Sequence, residues 1–185
     1  MSDVPDFQAS LLAAVPHLRA FAIGLCGKTD SADDLVQETL VRAWANRTGF
    51  QPGTNLNAWL YTILRNAFYS EFRKRRHEVA DTDGQYSATL AHRPVQESHI
   101  AFQEFRVALA KLPDDQREAL LLVGSSGLSY EAAAQICACA LGTMKSRVYR
   151  ARTRLAAMLS VTASELHREG SEWDAVVDAK HDAAA

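Results

Sequence analysis

The chain has 185 residues, with 20 Lys and Arg against 22 Asp and Glu and a formal net charge of −2, so it is not a uniformly basic nucleic-acid coat. That length allows one ordinary domain or two small ones, and 48 % hydrophobic residues suffice for packed cores. Three cysteines, Cys26, Cys137 and Cys139, are too few for a disulfide framework and suit a reducing compartment.

The opening "MSDVPDFQAS" carries acid where a signal peptide carries base. No apolar run is read as approaching the roughly 20 residues that cross a bilayer, so a cytoplasmic location is expected. Helical spacing then dominates. "SADDLVQETLVRAWAN" is read as a helix capped by Ser31 with Asp34 three positions on, its Val36, Leu40 and Ala43 facing inward. Asp34, Glu38, Val41 and Arg42 share its other face, a mixed acidic stripe that is either plain solvated surface or a docking face for another protein.

"NAWLYTILRNAFYSEFRKRR" follows as a second helix, capped by Asn55 or Asn57, with Leu60, Ile63, Leu64 and Ala67 inward. Arg65, Asn66, Tyr69, Phe72 and Arg73 gather opposite. Aromatic rings among cations suit single-stranded nucleic acid, where bases stack and phosphates meet Arg; packing of the rings on a neighbour is the commoner alternative.

Residues 77–98 carry one basic and four acidic side chains, show weak periodicity and contain turn formers, as a linker would. After it, Pro113 suits the first turn of "PDDQREALLLV", and Gly127 and Ser129 end one helix and begin "SYEAAAQIC". Residues 161–185 carry two basic against six acidic side chains and are expected to be an acidic, mobile tail. The fold class is therefore all-α: two small helical domains, 1–76 and 99–160, joined by the linker.

The most distinctive stretch is "CACALGTMKSRVYRARTRL", residues 137–155, with five basic residues and no acidic one. At about 100° per residue, Met144, Val148, Ala151, Leu155 and Met158 form one apolar stripe. Thr143, Ser146, Tyr149 and Arg150 lie opposite, Lys145 to one flank, and Arg147, Arg152 and Arg154 edge the stripe within reach of phosphates. A short helix and a turn precede it, the layout of a helix-turn-helix whose second helix enters the major groove. A solvated basic helix would share the composition, but the upstream helix favours DNA.

Cys137 and Cys139 form a C-x-C pair without convincing partners, so buried thiols are the preferred reading over a zinc site. The histidines show no ligand spacing, and no nucleophile, phosphate loop or acid–base pair is evident. Neither metal, cofactor nor enzymatic activity is expected.

Three motifs in order, "ADDLVQETLVRAW", "FQPGTNLNAWLYTILRNAFYSEFRK" and "LPDDQREALLLVGSSGLSYEAAAQICACALGTMKSRVYRARTRL", resemble the extracytoplasmic-function (group 4) sigma factors of bacterial RNA polymerase. "AAVPHLRAFAIGL" and "CALGTMKSRVYRAR" are most similar to the general-stress sigma factors of alphaproteobacteria, which a small anti-sigma protein holds inactive. The resemblance implies that Asp34, Gln37, Glu38, Val41 and Arg42 meet core RNA polymerase. It implies that the loop from Phe50 through Asn55 to Leu56 receives a flipped base of the single-stranded −10 element, with Arg65, Asn66, Tyr69 and Arg73 on the following helix. It places Thr143, Lys145, Ser146, Arg147, Tyr149, Arg150, Arg152 and Arg154 on the −35 duplex. Leu56 stands where many relatives have an aromatic, and Ala138 where the family often has Gly; a left-handed backbone there would cost on the order of 1 kcal/mol. Two other readings stay open: a sigma-like decoy that sequesters an anti-sigma factor, and a stand-alone helix-turn-helix regulator.

Overall fold

The computed structural model describes residues 3–79 and 97–159. The described residues form seven α-helices, one 3-10 turn and one π turn joined by short loops, and the chain divides into two compact units, Met1–Pro94 and Val95–Ala185. Most of the linker expected at 77–98 and all of the tail expected at 161–185 lie outside the described residues. Within 77–98, residues 77–79 continue a helix and Glu97 begins the next.

The first unit contains α1 (Asp3–Cys26), α2 (Thr29–Ala45), a single 3-10 turn (Arg47–Gly49) and α3 (Leu56–Val79). Its core is formed by Leu11, Leu18, Phe21, Ala22 and Leu25 of α1, Leu35 and Val36 of α2, and Leu60, Tyr61 and Leu64 of α3. Phe21 meets Tyr61 edge-on at 5.0 Å, the favourable arrangement for two ring quadrupoles. Thr39 is fully buried, and its hydroxyl donates to the Leu35 carbonyl at 2.7 Å, which satisfies the one polar group the core encloses on α2. Leu40, expected inward, is only half-buried, because it lies at the edge of the face that Ala32, Leu35, Val36, Thr39 and Ala43 bury.

Two expectations are corrected here. Ser31 is not the cap of α2. Gly27 adopts φ +70° and its N–H bonds to the Ile23 carbonyl at 2.9 Å, ending α1 in a left-handed turn that most side chains resist. The chain therefore re-enters a helix at once, and the Lys28 carbonyl already accepts from Ala32 at 3.1 Å, leaving Ser31 inside the first turn. Secondly, Phe7–Cys26 is long and apolar enough to cross a bilayer by length and composition, with a mean hydropathy of 1.5. His17 and Arg19 break the run as read residue by residue, but the average over the helix stays high. The apolar face of α1 is occupied by α2 and α3. Arg19 on its outer side binds Asp33 of α2 through two bonds, 2.6 and 3.1 Å long. That guanidinium lowers the Asp33 pKa, so the pair's small contribution is present above the ordinary aspartate value of about 3.9 and is lost as pH falls through the lowered one.

The second unit contains α4 (Glu97–Ala110), α5 (Asp114–Leu120), one π-helical turn (Leu121–Ser125), α6 (Tyr130–Ile136) and α7 (Leu141–Met158). Helices α4, α5 and α6 all pack on α7. Pro113 is the N-cap of α5, one position before the first turn where it was expected. In the π turn the Ser126 N–H reaches five residues back to Leu121 at 3.1 Å, and Leu121, Leu122 and Val123 are consecutively buried. Ser129 caps α6, its Oγ accepting from the Ala132 N–H at 3.1 Å.

Met144, Val148, Ala151 and Leu155 are buried as their phase requires, but Met158 is 42 % exposed, a departure from the expected stripe. Ala156, about 120° from Met144 at 100° per residue, is buried in its place. Packing at this end of α7 is thus set by the neighbouring helices, not by the phase of the stripe.

Between α6 and α7 the Ala138 N–H bonds to the Gln135 carbonyl at 3.1 Å and the Cys139 N–H to the Ala134 carbonyl at 3.0 Å. This pair of bonds is a Schellman motif, and its left-handed position is Ala138, at φ 50°. Among the described residues it is the one non-glycine with positive φ. Replacing it with the residue the geometry favours, Ala138→Gly, should stabilise the second unit by about 0.5–1 kcal/mol. The measurement is a urea midpoint that rises with the denaturant slope unchanged; an unchanged or lower midpoint would show that the turn does not strain the alanine.

Candidate nucleic-acid interface

The outward side of α7 is built from residues whose conformations are fixed by neighbours. Ala140, extended at φ −67° and ψ 148°, is the N-cap, so the first backbone N–H groups of the helix, at Leu141, Gly142 and Thr143, point out of its start. Thr143, Lys145, Tyr149, Arg150 and Arg154 are exposed; Ser146, Arg147 and Arg152 are half-buried. Tyr149 is 68 % exposed, an unusual position for a large ring and one suited to a contact outside the unit.

Lys145 places its ammonium 5.6 Å from the centroid of the Tyr130 ring at the start of α6, so the first helix of the motif steers a cation of the second. Arg147 reaches the other way, its Nε 3.2 Å from Asp115 of α5. Sequence phasing put Arg147 among the phosphate-reaching residues without detecting this partner, because Asp115 lies on another helix. Arg150 folds back along α7, donating from Nε to the Ser146 carbonyl at 3.1 Å and from Nη2 to the Ser146 hydroxyl at 3.0 Å. The Ser146 hydroxyl in turn donates to the Thr143 carbonyl at 2.9 Å. The i, i+4 spacing of Ser146 and Arg150 is the signal that could have revealed this pair.

In the first unit the residues read for single-stranded DNA lie along α3 and the loop before it. Arg65 sits over the Tyr69 ring at 4.9 Å, and Tyr69 meets Phe68 edge-on at 5.3 Å. Asn66 and Arg73 are exposed on the same helix; the side chain of Phe72 lies outside the described residues. Asn55, and not Asn57, caps α3: its Oδ1 accepts from the Ala58 N–H at 3.1 Å. Leu56 is half-buried. Phe50 is half-buried too, with its ring 5.4 Å from Trp59 and 5.8 Å from Phe7. Phe7 also approaches Trp44 at 6.5 Å, and Arg47 lies 5.2 Å above the Trp44 ring. This aromatic cluster joins α1, α2, the loop and α3, and nothing in the sequence pattern announced it because its members are far apart along the chain.

The face of α2 opposite the core exposes Asp34, Gln37, Glu38, Val41 and Arg42 together. Glu38 and Arg42 form an i, i+4 bridge at 2.5 Å, and Val41 beside them is 68 % exposed. Among the described residues no three His, Cys, Asp or Glu side chains come together as a metal site, and Cys26, Cys137 and Cys139 form no disulfide.

A helix-turn-helix with a cationic second helix, carried beside a separate helical unit, defines a class of transcription protein. Residues 12–78 match the Sigma-70 region 2 family and residues 102–155 the Sigma-70, region 4 family. The chain is 65 % identical over 155 residues to the ECF RNA polymerase sigma factor EcfG of Rhodopseudomonas palustris, covering 84 % of this chain and 86 % of that protein. It is 40 % identical over 131 residues to the probable RNA polymerase sigma-C factor of Mycobacterium bovis, covering 69 % of each. Among solved structures it is similar to the sigma factor RpoE of Bartonella quintana, crystallised with the anti-sigma factor NepR. The TM-score there is 0.79 and the identity 55 %, over 85 % of this chain and 99 % of that one. The chain belongs to the ECF family of RNA polymerase sigma factors.

The Arg147–Asp115 bridge generates a prediction about α7. Arg147→Ala and Asp115→Ala should each lower stability by about 0.5–1 kcal/mol, as a partly exposed bridge does. The double variant should lose no more than one of them. Urea titration of the three variants checks this; additive losses would mean that the bridge does not anchor α7 to α5.

Proposed function

We propose that this chain binds core RNA polymerase and directs initiation at specific promoters, working in the cytoplasm and performing no chemistry of its own. The second unit, built on 99–160, reads the −35 duplex with α7: Arg150 and Lys145 approach base edges, while Arg147, Arg152, Arg154 and the N–H groups near Thr143 hold phosphates. The first unit, built on 1–76, opens and reads the −10 element. The loop Phe50–Leu56 receives an unstacked base, and Asn66, with Arg65, Tyr69 and Arg73, follows the strand. Unstacking costs a few kcal/mol, which contacts of the polymerase offset. The residues 77–98, fully extended, would reach roughly 73–79 Å at 3.3–3.6 Å per residue, enough for two elements about two helical turns apart.

The observation that carries the reading is that the chain presents two unlike functional faces. A DNA-reading helix alone would suit a stand-alone regulator, but α2 also exposes Val41 among Asp34, Gln37, Glu38 and Arg42, a surface of protein-docking composition. The cationic face of α7 is retained, as a decoy would not require. Likeness to a sigma factor solved with its anti-sigma factor supports control by a small anti-sigma protein, and the resemblance of its motifs to the general-stress sigma factors of alphaproteobacteria supports a role in a general stress response.

Reconstitution tests this directly. Core polymerase with this chain should transcribe a cognate promoter that core alone ignores; tight, specific DNA binding by the isolated chain without stimulation of polymerase would overturn the proposal. Val41→Asp should leave the fold intact, since the side chain is already in solvent. It should weaken capture of core polymerase by roughly 10- to 150-fold, the burial of one Val converted to affinity. Asn66→Ala should slow promoter opening, measured by permanganate reactivity of the −10 thymines, while duplex binding at −35 is unchanged.

A further inference from the structure

On α7, Ser146 and Arg150 are both expected on the −35 duplex, yet the geometry gives them different work. A serine hydroxyl has one proton to donate and two lone pairs to accept with. Here the proton is directed to the Thr143 carbonyl at 2.9 Å, and one lone pair receives Arg150 Nη2 at 3.0 Å. The hydroxyl has no second proton with which to address the acceptors that dominate the major-groove edge of a purine. Arg150, meanwhile, is held at two points, Nε on the Ser146 carbonyl at 3.1 Å and Nη2 on its hydroxyl.

A guanidinium carries five N–H bonds in one plane: one on Nε and two on each terminal nitrogen. With the Nε proton and one Nη2 proton on Ser146, the outer edge of the group keeps an Nη1 proton and an Nη2 proton side by side. Two parallel donors on one edge match two adjacent acceptors in a plane, and among the base pairs guanine O6 and N7 supply that pattern in the major groove. A free arginine would have to immobilise several rotors to reach this state on contact; one held along the helix has already lost that freedom.

We infer that Ser146 is a positioning residue, which orients Arg150 so that its outer edge reads a single guanine of the −35 duplex, and that Ser146 does not itself read a base. This rests on the assignment of α7 to that duplex.

The test is binding and initiation by the holoenzyme on a promoter set in which each −35 base pair is replaced in turn. Five chains are compared: wild type, Ser146→Ala, Ser146→Thr, Arg150→Ala and the double variant Ser146→Ala with Arg150→Ala. Arg150→Ala should erase discrimination at one G·C pair by roughly 5- to 150-fold, leaving preferences elsewhere intact. Ser146→Ala should weaken discrimination at that same pair by roughly 2- to 10-fold, as loss of one hydrogen bond does, and should have no further effect once Arg150 is gone. Ser146→Thr, which keeps the hydroxyl, should restore the wild-type profile.

Losses that multiply in the double variant, or a Ser146→Ala effect at a different base pair, would make Ser146 a reader in its own right and overturn the inference. An equal loss from Arg150→Ala on every duplex would also overturn it, since Arg150 would then be a phosphate contact while the chain still acted as a sigma factor. A wild-type holoenzyme that initiates without any −35 preference would overturn both this inference and the assignment beneath it.

Discussion

The second unit depends on the burial of one side of α7. Met144, Val148, Ala151 and Leu155 are almost inaccessible, and the three other helices of the unit meet on them. Full burial of a Met, Val or Leu side chain contributes about 1.5–3 kcal/mol, so this single stripe is a major part of what holds a unit of modest size together. The same helix carries the cations on its other side. Because the stripe is fixed rigidly, the outward residues inherit a fixed azimuth, and small contacts suffice to aim them: Lys145 over Tyr130, Arg147 against Asp115, Arg150 on Ser146. The buried core stripe and the cationic face are thus two sides of one cylinder.

The first unit divides its work differently. Its core joins all three helices, and the surfaces assigned to polymerase and DNA fall on separate elements, α2 and the loop leading into α3. The aromatic cluster of Phe7, Trp44, Phe50 and Trp59 connects them. Phe50, at the edge of the loop, is in ring contact with Trp59 of α3 and with Phe7 of α1, so the loop is seated on the core and is not an independent arm. A pocket for an unstacked base needs such a seat, since a loop that must first be ordered would add its own entropy to the cost of unstacking.

Much of this was legible from residue spacing. Most of the apolar phases of α3 and α7, a cap for α3 at Asn55 or Asn57, the cap at Ser129, and the unfavourable placement of Ala138 follow from local rules, and local rules govern them in the structure, with Asn55 taking the cap of α3. Failures occur where a distant partner or the backbone decides. Ser31 has the right chemistry for a cap, but Gly27 turns the chain so early that Lys28 takes the position. Met158 has the right phase, but the packing partners choose Ala156. The Arg147–Asp115 bridge and the Phe7–Phe50 contact join residues on different elements, and helical periodicity carries no information about such pairs. For α1 the sequence hid a high average hydropathy behind two polar residues that lie on its outer side.

The π turn at Leu121–Ser125 has a consequence for the way this chain can change. A π turn holds one residue more than the α-helical turn it replaces, so the consecutively buried Leu121, Leu122 and Val123 span a narrower arc here than a 100° step would give them. It acts as a phase adjuster in the frame that supports α7. The turn therefore sets where the chain leaves α5 for the bend at Gly127, and with it the point from which α6 and α7 start.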